Sequence, residues 1–499
     1  MITNIQFDKK IPVQMTTSPL ASLRLSTQNS DIPGYQQLQQ AIQQAIRSGS
    51  LPAGSRLPSS RLLAAQLGVS RSMVVQAYDL LVCEGYLDNR PRSGLLVAAT
   101  APSALAAPST SPALVAPALR TARHFDAGAD VSQFPARSWA NCLRRAWLHP
   151  DPRLLQGQYH HGHPLLRAAI ARLLFQLRGL QCQPEQIVIT AGNRDGLMLL
   201  QHSLHQHHPN HRWCIEDPCY PPVRQLMDRW GCEDLPADSE GTCLPVSSTD
   251  WLALVTPNRH YPLGLRWSNR RRQQWLQAAI EQNGVIIEDD YDTEFIYNGQ
   301  PGLPLMQLAQ NTGIAADRVC LVGSFSKILF RGLRLGYLVV PPALMASVHR
   351  SQQQLGDSAS QTMQPALADF IDSGELARHL NRMRRHYRKR RDHLHHYLLQ
   401  TLSPWFDWVL PDDGMQLLLY WKSHLLSDSY LSDPGSRPDL KLATSLALEG
   451  IEISLLADHY RHPQQAPAGI RMGFTGTSES ETEQLVDRIA ATLLAFSGG

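Results

Sequence analysis

Apolar residues recur at helical spacing near the start of the chain and give way to short, continuous apolar runs further on. Tyr35, Leu38, Ile42, Ala45 and Ile46 follow a 3.6-residue period and stop at Ser48-Gly49, which predicts a first helix. After the turn Leu51-Pro52-Ala53-Gly54, Pro58-Ser59-Ser60 predicts the cap of a second helix, Arg61 to Leu67. Gly68-Val69-Ser70 reads as a tight turn whose Ser70 opens a third helix from Arg71 to about Glu84, with Val74, Tyr78 and Leu81 inward. Gly85-Tyr86-Leu87 and Gly94-Leu95-Leu96-Val97 predict short strands around a basic tip. Three helices and such a hairpin describe a winged helix-turn-helix over residues 31–98, behind a tail at 1–30.

Residues 99–123 are dominated by Ala, Pro, Ser and Thr and carry no charge before Arg120. Such a stretch buries no core and predicts an extended, semi-stiff tether. From 124 to 499 strands and helices alternate. Ile187–Thr190, Trp213–Ile215, Leu252–Val255, Val285–Ile287, Val319–Val322 and Tyr337–Val340 are short apolar runs, with Thr190 closing the first. Continuous apolar strands between helices predict an α/β domain with a mostly parallel, buried sheet. Its chemistry is expected at the strand C-termini.

Composition narrows the class. With 43% hydrophobic and 18% charged residues the chain is globular, and a net charge of +3 does not by itself argue for nucleic acid. Eight cysteines stand without a CxxC pair, and the histidine clusters lack metal-site spacing, so no metal is expected. Met1 to Gln14 lacks an apolar signal core and no run approaches membrane-spanning length, so no membrane partner and a cytoplasmic location are expected.

Only six residues are lysine, and Lys327 is the one that ends an apolar run, at Ser324-Phe325-Ser326-Lys327. Upstream, Val285-Ile286-Ile287 ends in Glu288-Asp289-Asp290-Tyr291. A lysine amine condenses with an aldehyde, and pyridoxal 5'-phosphate (PLP) needs that lysine together with a carboxylate at its ring nitrogen. Gly192, Asn193 and Arg194 at a strand-to-helix turn offer backbone N–H groups to a phosphate, as do Ser324, Ser326 and Arg334 with side chains. Tyr291 suits the ring hydroxyl and Tyr220 the ring face. Taken singly, each of these has an ordinary structural explanation; their order along the chain carries the PLP reading.

The series Leu57-Pro58-Ser59-Ser60-Arg61, Gly68-Val69-Ser70-Arg71, Glu84-Gly85-Tyr86-Leu87, Glu216-Asp217-Pro218-Cys219-Tyr220, Ile287-Glu288-Asp289-Asp290-Tyr291-Asp292, Gly323-Ser324-Phe325-Ser326-Lys327 and Gly332-Leu333-Arg334-Leu335-Gly336-Tyr337 resembles the MocR subfamily of GntR-type bacterial transcription regulators. The resemblance runs from residue 33 to the C-terminus. It implies a winged helix joined to a fold-type-I, aminotransferase-like domain with a small C-terminal α+β subdomain. It also implies PLP on Lys327, Asp289 at the ring nitrogen, Tyr291 near the ring oxygen, and Arg334 with Ser324 at the phosphate.

Departures from the pattern include Ile328, Arg331, the Arg194-Asp195 pair and the stretch Asn258-Arg259-His260-Tyr261-Pro262-Leu263-Gly264. Arg259 and Arg331 are candidates to add positive charge beside an effector, with Tyr261 nearby. Arg471, in Gly469-Ile470-Arg471-Met472-Gly473, stands where aminotransferases of this fold hold the arginine that grips a substrate carboxylate.

At the other end, Arg61, Arg71, Arg90 and Arg92 with Ser93 and Gly94 are expected at phosphates and base edges of double-stranded DNA. Ser72, Met73 and Gln76 lie on the N-terminal half of the third helix, where a recognition helix enters the major groove. Residues 31–98 hold six arginines against four acids, so one block binds weakly and a homodimer is expected. The arginine run 378–391 is a further candidate DNA contact, or a solvated helix face. The expected function is PLP-dependent transcriptional regulation sensing PLP or an amino compound. A working class I/II aminotransferase with an accessory DNA-binding block is the alternative, since fold and cofactor do not fix activity.

Overall fold

The computed structural model describes residues 32–90, 94–99, 124–205, 211–246, 250–426 and 437–497. The expected tail, almost all of the tether, and Arg92 and Ser93 of the wing lie outside the described residues. The chain divides into two compact units, Met1–Arg120 and Thr121–Gly499.

The first unit holds three helices, α1 (Gly34–Arg47), α2 (Ser60–Leu67) and α3 (Arg71–Cys83), and a hairpin of β1 (Leu87–Arg90) and β2 (Gly94–Val97). Ser59 caps α2 by accepting from Leu62 N, and Ser70 caps α3 by accepting from Met73 N, both at 3.3 Å. Each cap satisfies one backbone donor that the helix itself leaves open. Leu38 and Ile42 of α1, Leu63 of α2 and Val74, Tyr78 and Leu81 of α3 form the core, closed by Leu87 and Val97 of the hairpin. The Tyr78 hydroxyl donates to Pro58 O at 3.0 Å, which fixes α3 against the entry to α2. Backbone bonds from Gly54 N to Val97 O and from Leu57 N to Leu95 O lay a third extended segment beside β2. Gly85 and Tyr86, expected in a strand, form the turn that ends α3: Gly85 sits at φ +75°, where glycine carries no Cβ penalty.

The second unit is built on an eight-stranded sheet. Its strands are β3 (Ile187–Thr190), β4 (Arg212–Asp217), β5 (Cys232–Asp238), β6 (Gly241–Thr242), β7 (Trp251–Val255), β8 (Val285–Asp290), β9 (Val319–Ser324) and β10 (Gly336–Val339). The order across the sheet is β3-β10-β9-β8-β7-β4-β5-β6. β4, β5, β7, β8 and β9 pair in parallel, whereas β10 runs antiparallel to both neighbours and β6 antiparallel to β5. Alternate residues of the same strand enter two different cores. Val188, Ile215, Ile287 and Val322 face one, and Ile189, Cys214, Ile286 and Leu321 the other. Burial on both faces is why these strands read as unbroken apolar runs.

A second, all-antiparallel sheet has the order β11 (Phe406–Asp407), β12 (Gln416–Trp421), β14 (Gly469–Gly473), β13 (Ser454–Leu455). Helices 438–448 and 479–497 accompany it, giving the smaller α+β part. Among the described residues no helix is long and apolar enough to cross a membrane.

The 27-residue helix Glu375–Thr401 carries the arginine run, and most of that run is spent within its own unit. Arg384 donates to Glu294 O at 2.6 Å, Arg390 pairs with Asp130 at 3.0 Å, and Lys389 pairs with Glu479 at 2.8 Å. Arg391 bonds Pro411 O and lies 4.7 Å from the Tyr297 ring centre. These ties account for much of the charge run, while Arg385 and Arg388 stay exposed.

Candidate functional site

Several loops meet at one edge of the large sheet. Gly192, Asn193 and Arg194 follow β3, Glu216 ends β4 with Tyr220 just beyond, and Thr256 and Tyr261 follow β7. Asp289 and Tyr291 stand at the end of β8, and Ser324, Ser326 and Lys327 at the end of β9. Arg334 precedes β10, whose reversed direction brings its start to the same edge. All of these residues line one cavity of about 330 Å³, joined by Arg471 from β14 of the second sheet. The volume suits a small ligand, and strand C-termini are where such sheets place their sites.

The end of the cavity at Gly192 owes its shape to close backbone approach. A Cβ on Gly336 would lie 2.9 Å from Gly192 Cα, so β10 and the turn after β3 meet at a distance only glycine permits. Gly192 itself adopts φ +109° and aims the following helix, Asn193–His205, at the cavity. The first N–H groups of a helix lack partners inside it and carry its positive dipole end, which favours an anion. Ser324 Oγ accepts from Ser326 N at 3.1 Å, which leaves its own proton to donate. Arg334 holds φ +51°.

Lys327 and Asp289 are each half-buried, with their open surface on the cavity. The lysine amine donates to Ala127 O at 2.6 Å. Burial pushes its pKa down to about 8, while Asp292 pulls in the opposite direction. Burial first, then the neighbouring Asp290, pushes Asp289 up to about 7. Asn193 Nδ2 donates to Asp289 Oδ1 at 2.8 Å, and Asn193 Oδ1 is buried without a hydrogen-bond partner among the described residues. A nucleophilic amine and an ionisable carboxylate therefore share one cavity with a set of anion donors.

Three tyrosines form a stepped wall. Tyr261 stands edge-on to Tyr220 with ring centres 5.5 Å apart and edge-on to Tyr291 at 5.7 Å. Tyr220 is half exposed at the rim. Burial raises Tyr261 to about 12 and Tyr291 well above its usual range, so both phenols keep their protons and can donate.

Arg259 does not line the cavity, which corrects its assignment as an effector contact. Its side chain is 3% exposed and fully engaged. Nε donates to Asp413 Oδ1 at 2.9 Å, Nη1 to Tyr291 Oη at 3.3 Å and to Asp292 Oδ2 at 3.4 Å, and Nη2 to Gln416 O at 3.2 Å. It buttresses Tyr291 from behind. Arg471 is held by Gln416 Oε1 at 2.8 Å and Ser454 Oγ at 3.3 Å, and it reaches the cavity wall.

Sequence reasoning missed Asp126, which lines the cavity, and Ala127, which reaches the lysine from two hundred positions upstream. Ala127 acts through a backbone carbonyl, which leaves no residue-type signal. Glu216 stands in the motif Glu216-Asp217-Pro218-Cys219-Tyr220, which by itself gives it no task. It is buried and accepts from Thr242 Oγ1 at 2.6 Å and Thr256 N at 3.0 Å, a role fixed by contacts no local pattern announces.

On the first unit, Arg61, Arg71, Ser72, Gln76, Arg90 and Gly94 are exposed. Met73 departs from the expectation of a base contact: a Cβ on Gly34 would lie 2.8 Å from its Cε, so it packs on the start of α1 and is only partly exposed.

Two classes of protein meet in this chain. Residues 34–97 match the family "Bacterial regulatory proteins, gntR family", and residues 130–489 match "Aminotransferase class I and II". The large unit has the fold of the Pyrococcus horikoshii kynurenine aminotransferase, solved in complex with PMP, with a TM-score of 0.62 and 22% identity over 74% of this chain and 90% of that one. The chain is 34% identical to the Bacillus subtilis "Uncharacterized HTH-type transcriptional regulator YdeL" over 92% of its own length and 97% of that protein's. It is 32% identical to the Rhizobium meliloti "Probable rhizopine catabolism regulatory protein MocR", over 94% and 95% respectively. It belongs to the MocR subfamily of GntR-type transcription regulators.

Proposed function

We propose that this chain is a DNA-binding transcriptional regulator whose large unit holds PLP on Lys327 and responds to PLP, to an amino compound, or to both. The observation that carries the reading is the convergence of Lys327, Asp289 and a phosphate-sized set of donors on one cavity. The residues fit the group: an amine for an aldehyde, a carboxylate for a pyridine nitrogen, and a helix N-terminus with Ser324 and Arg334 for a phosphate. When bound, PLP supplies an aldehyde that amines capture and a ring that withdraws electrons.

The chain's own groups then have distinct tasks. Asp289, steadied by Asn193, holds a proton on the ring nitrogen. Tyr291, braced by Arg259, offers its hydroxyl to the ring oxygen, and Tyr220 covers a ring face from the rim. Arg471 offers its guanidinium to the carboxylate of an amino-acid-like effector. On the first unit, Arg61, Arg71 and Arg90 meet phosphates while Ser72 and Gln76 face base edges.

Two such units in a homodimer would raise a modest single-site affinity through effective concentration. Effector and DNA then bias one equilibrium reciprocally. Regulation is favoured over transamination as the main role because the full-length relatives are named regulators. The test is a gel-shift titration of the chain's own upstream region with and without PLP and amines, alongside multiple-turnover assays with amino and keto acids. Binding that changes with either ligand is expected. Robust turnover with no operator binding would reverse the assignment.

A further inference from the structure

One charged pair at the cavity has no task in the reading above. Arg331 lies between Lys327 and Arg334 in sequence and lines the same cavity. Its Nη2 donates to Asp126 Oδ2 at 2.6 Å, and the two side chains are 62% and 40% exposed. Among the described residues Nε and Nη1 of Arg331 make no hydrogen bond, so most of the guanidinium fork is uncommitted. The group is not simply waving in water. A Cβ on Gly128 would lie 3.2 Å from Nη2, so the guanidinium is laid against the backbone of that segment. Both Arg331 and Asp126 sit near enough to bias the Lys327 amine, in opposite senses.

We propose that Arg331 is a specificity-determining residue that receives the second carboxylate of a dicarboxylic amino acid. This rests on the reading of the cavity as a PLP site open to amines. Lys327 marks where the amino group arrives, and Arg471 offers a donor to the first carboxylate. An acidic side chain extending from that anchored end finds the two open nitrogens of Arg331 without having to displace Asp126. A neutral amide can accept a hydrogen bond from Arg331 but lacks the charge and the second oxygen of a carboxylate. A basic side chain could address Asp126, but only beside the positive charges of Arg331, Arg334 and Arg471. The remaining cavity carboxylates offer it little, since Asp289 is bonded by Asn193 and Glu216 by Thr242 and Thr256.

The experiment titrates the full-length, PLP-loaded protein with acid and amide pairs, glutamate against glutamine and aspartate against asparagine, with lysine as the basic probe. Visible absorbance reports binding. At least one acid is expected to bind roughly fivefold tighter than its amide, the scale of a partly exposed ion pair, with lysine weakest. Arg331→Met is expected to bring that ratio to about one, whereas Asp126→Asn, which removes the resident counter-ion, is expected to widen it. Equal binding of both acids and their amides, a preference for lysine, or a ratio that survives Arg331→Met overturns the proposal. If Arg331→Met fails to take up PLP, Asp126→Asn decides, and an unchanged ratio there counts against it. Failure of the underlying PLP reading looks different: borohydride would leave no label on Lys327 in the unsubstituted protein.

Discussion

Asn193 Nδ2 donates to Asp289 Oδ1 across 2.8 Å, tying the first turn of a helix to the end of a strand ninety-six positions away. The same asparagine begins the helix whose N-terminus faces the cavity, so one side chain spaces two walls of the pocket. Hydrogen bonds to a carboxylate stabilise its charged form. Asn193→Ala is expected to weaken PLP affinity by about one order of magnitude, the scale of a charged hydrogen bond. Fluorescence titration of the apoprotein measures this, and an affinity within twofold of the parent would show the contact to be idle.

Covalent capture should follow an unusual pH course. Burial lowers the Lys327 pKa from 10.5 to about 8. The neutral, nucleophilic amine is the minor form below that value and the major form above it. The rate of borohydride-trapped labelling by PLP should climb about tenfold per pH unit below the pKa and level off beyond it. A rate still climbing steeply at the ordinary lysine value would mean that the amine is not held in this environment. Lys327→Ala should abolish the label.

Arg259 tests how a buried cation serves the site without touching a ligand. A Cβ on Gly414 would strike its Cζ at 2.2 Å, so the guanidinium fills the space that glycine leaves. Arg259→Met strands the carboxylate of Asp292 in a buried setting, while Asp413 keeps Arg266 as its partner. A loss of about 3–5 kcal/mol in stability is expected from an uncompensated buried charge, measured by denaturant unfolding. The visible spectrum of the PLP-loaded variant should also shift as Tyr291 loses its brace. A loss below about 1 kcal/mol would show that the carboxylate finds another proton or partner.

Much of this arrangement was open to a reader of the sequence, for physical reasons. α2 was expected at Arg61–Leu67 and spans Ser60–Leu67, because serine caps and a terminal glycine mark it chemically. The strands at 187–190, 252–255 and 319–322 announced themselves by burial on both faces. β5, with the sequence CEDLPAD, was not legible: it lies next to the sheet's short edge strand, so polar residues and Pro236 are tolerated there. Arg259 was expected beside an effector and instead braces Tyr291 from outside the cavity, because sequence spacing gives proximity but not direction. The antiparallel course of β10 was hidden too, since an apolar run carries no arrow.

At the DNA end, charge and recognition should separate. Arg71→Ala is expected to weaken binding evenly across sequences and to lower the slope of log affinity against log salt by about 1. Gln76→Ala should cost about 1–3 kcal/mol on the preferred operator while leaving the salt slope unchanged. Fluorescence anisotropy on matched and scrambled duplexes at several salt concentrations distinguishes them. Identical behaviour of the two variants would place neither residue in the groove.

The bond from Lys327 Nζ to Ala127 O has a consequence for communication within the chain. Ala127 lies seven positions past residue 120 (127 − 120), where the two units divide. Whatever claims the amine must take it from main chain close to that junction. On the proposed reading, a group that takes the amine would therefore release main chain only a few positions in sequence from the boundary between the two units.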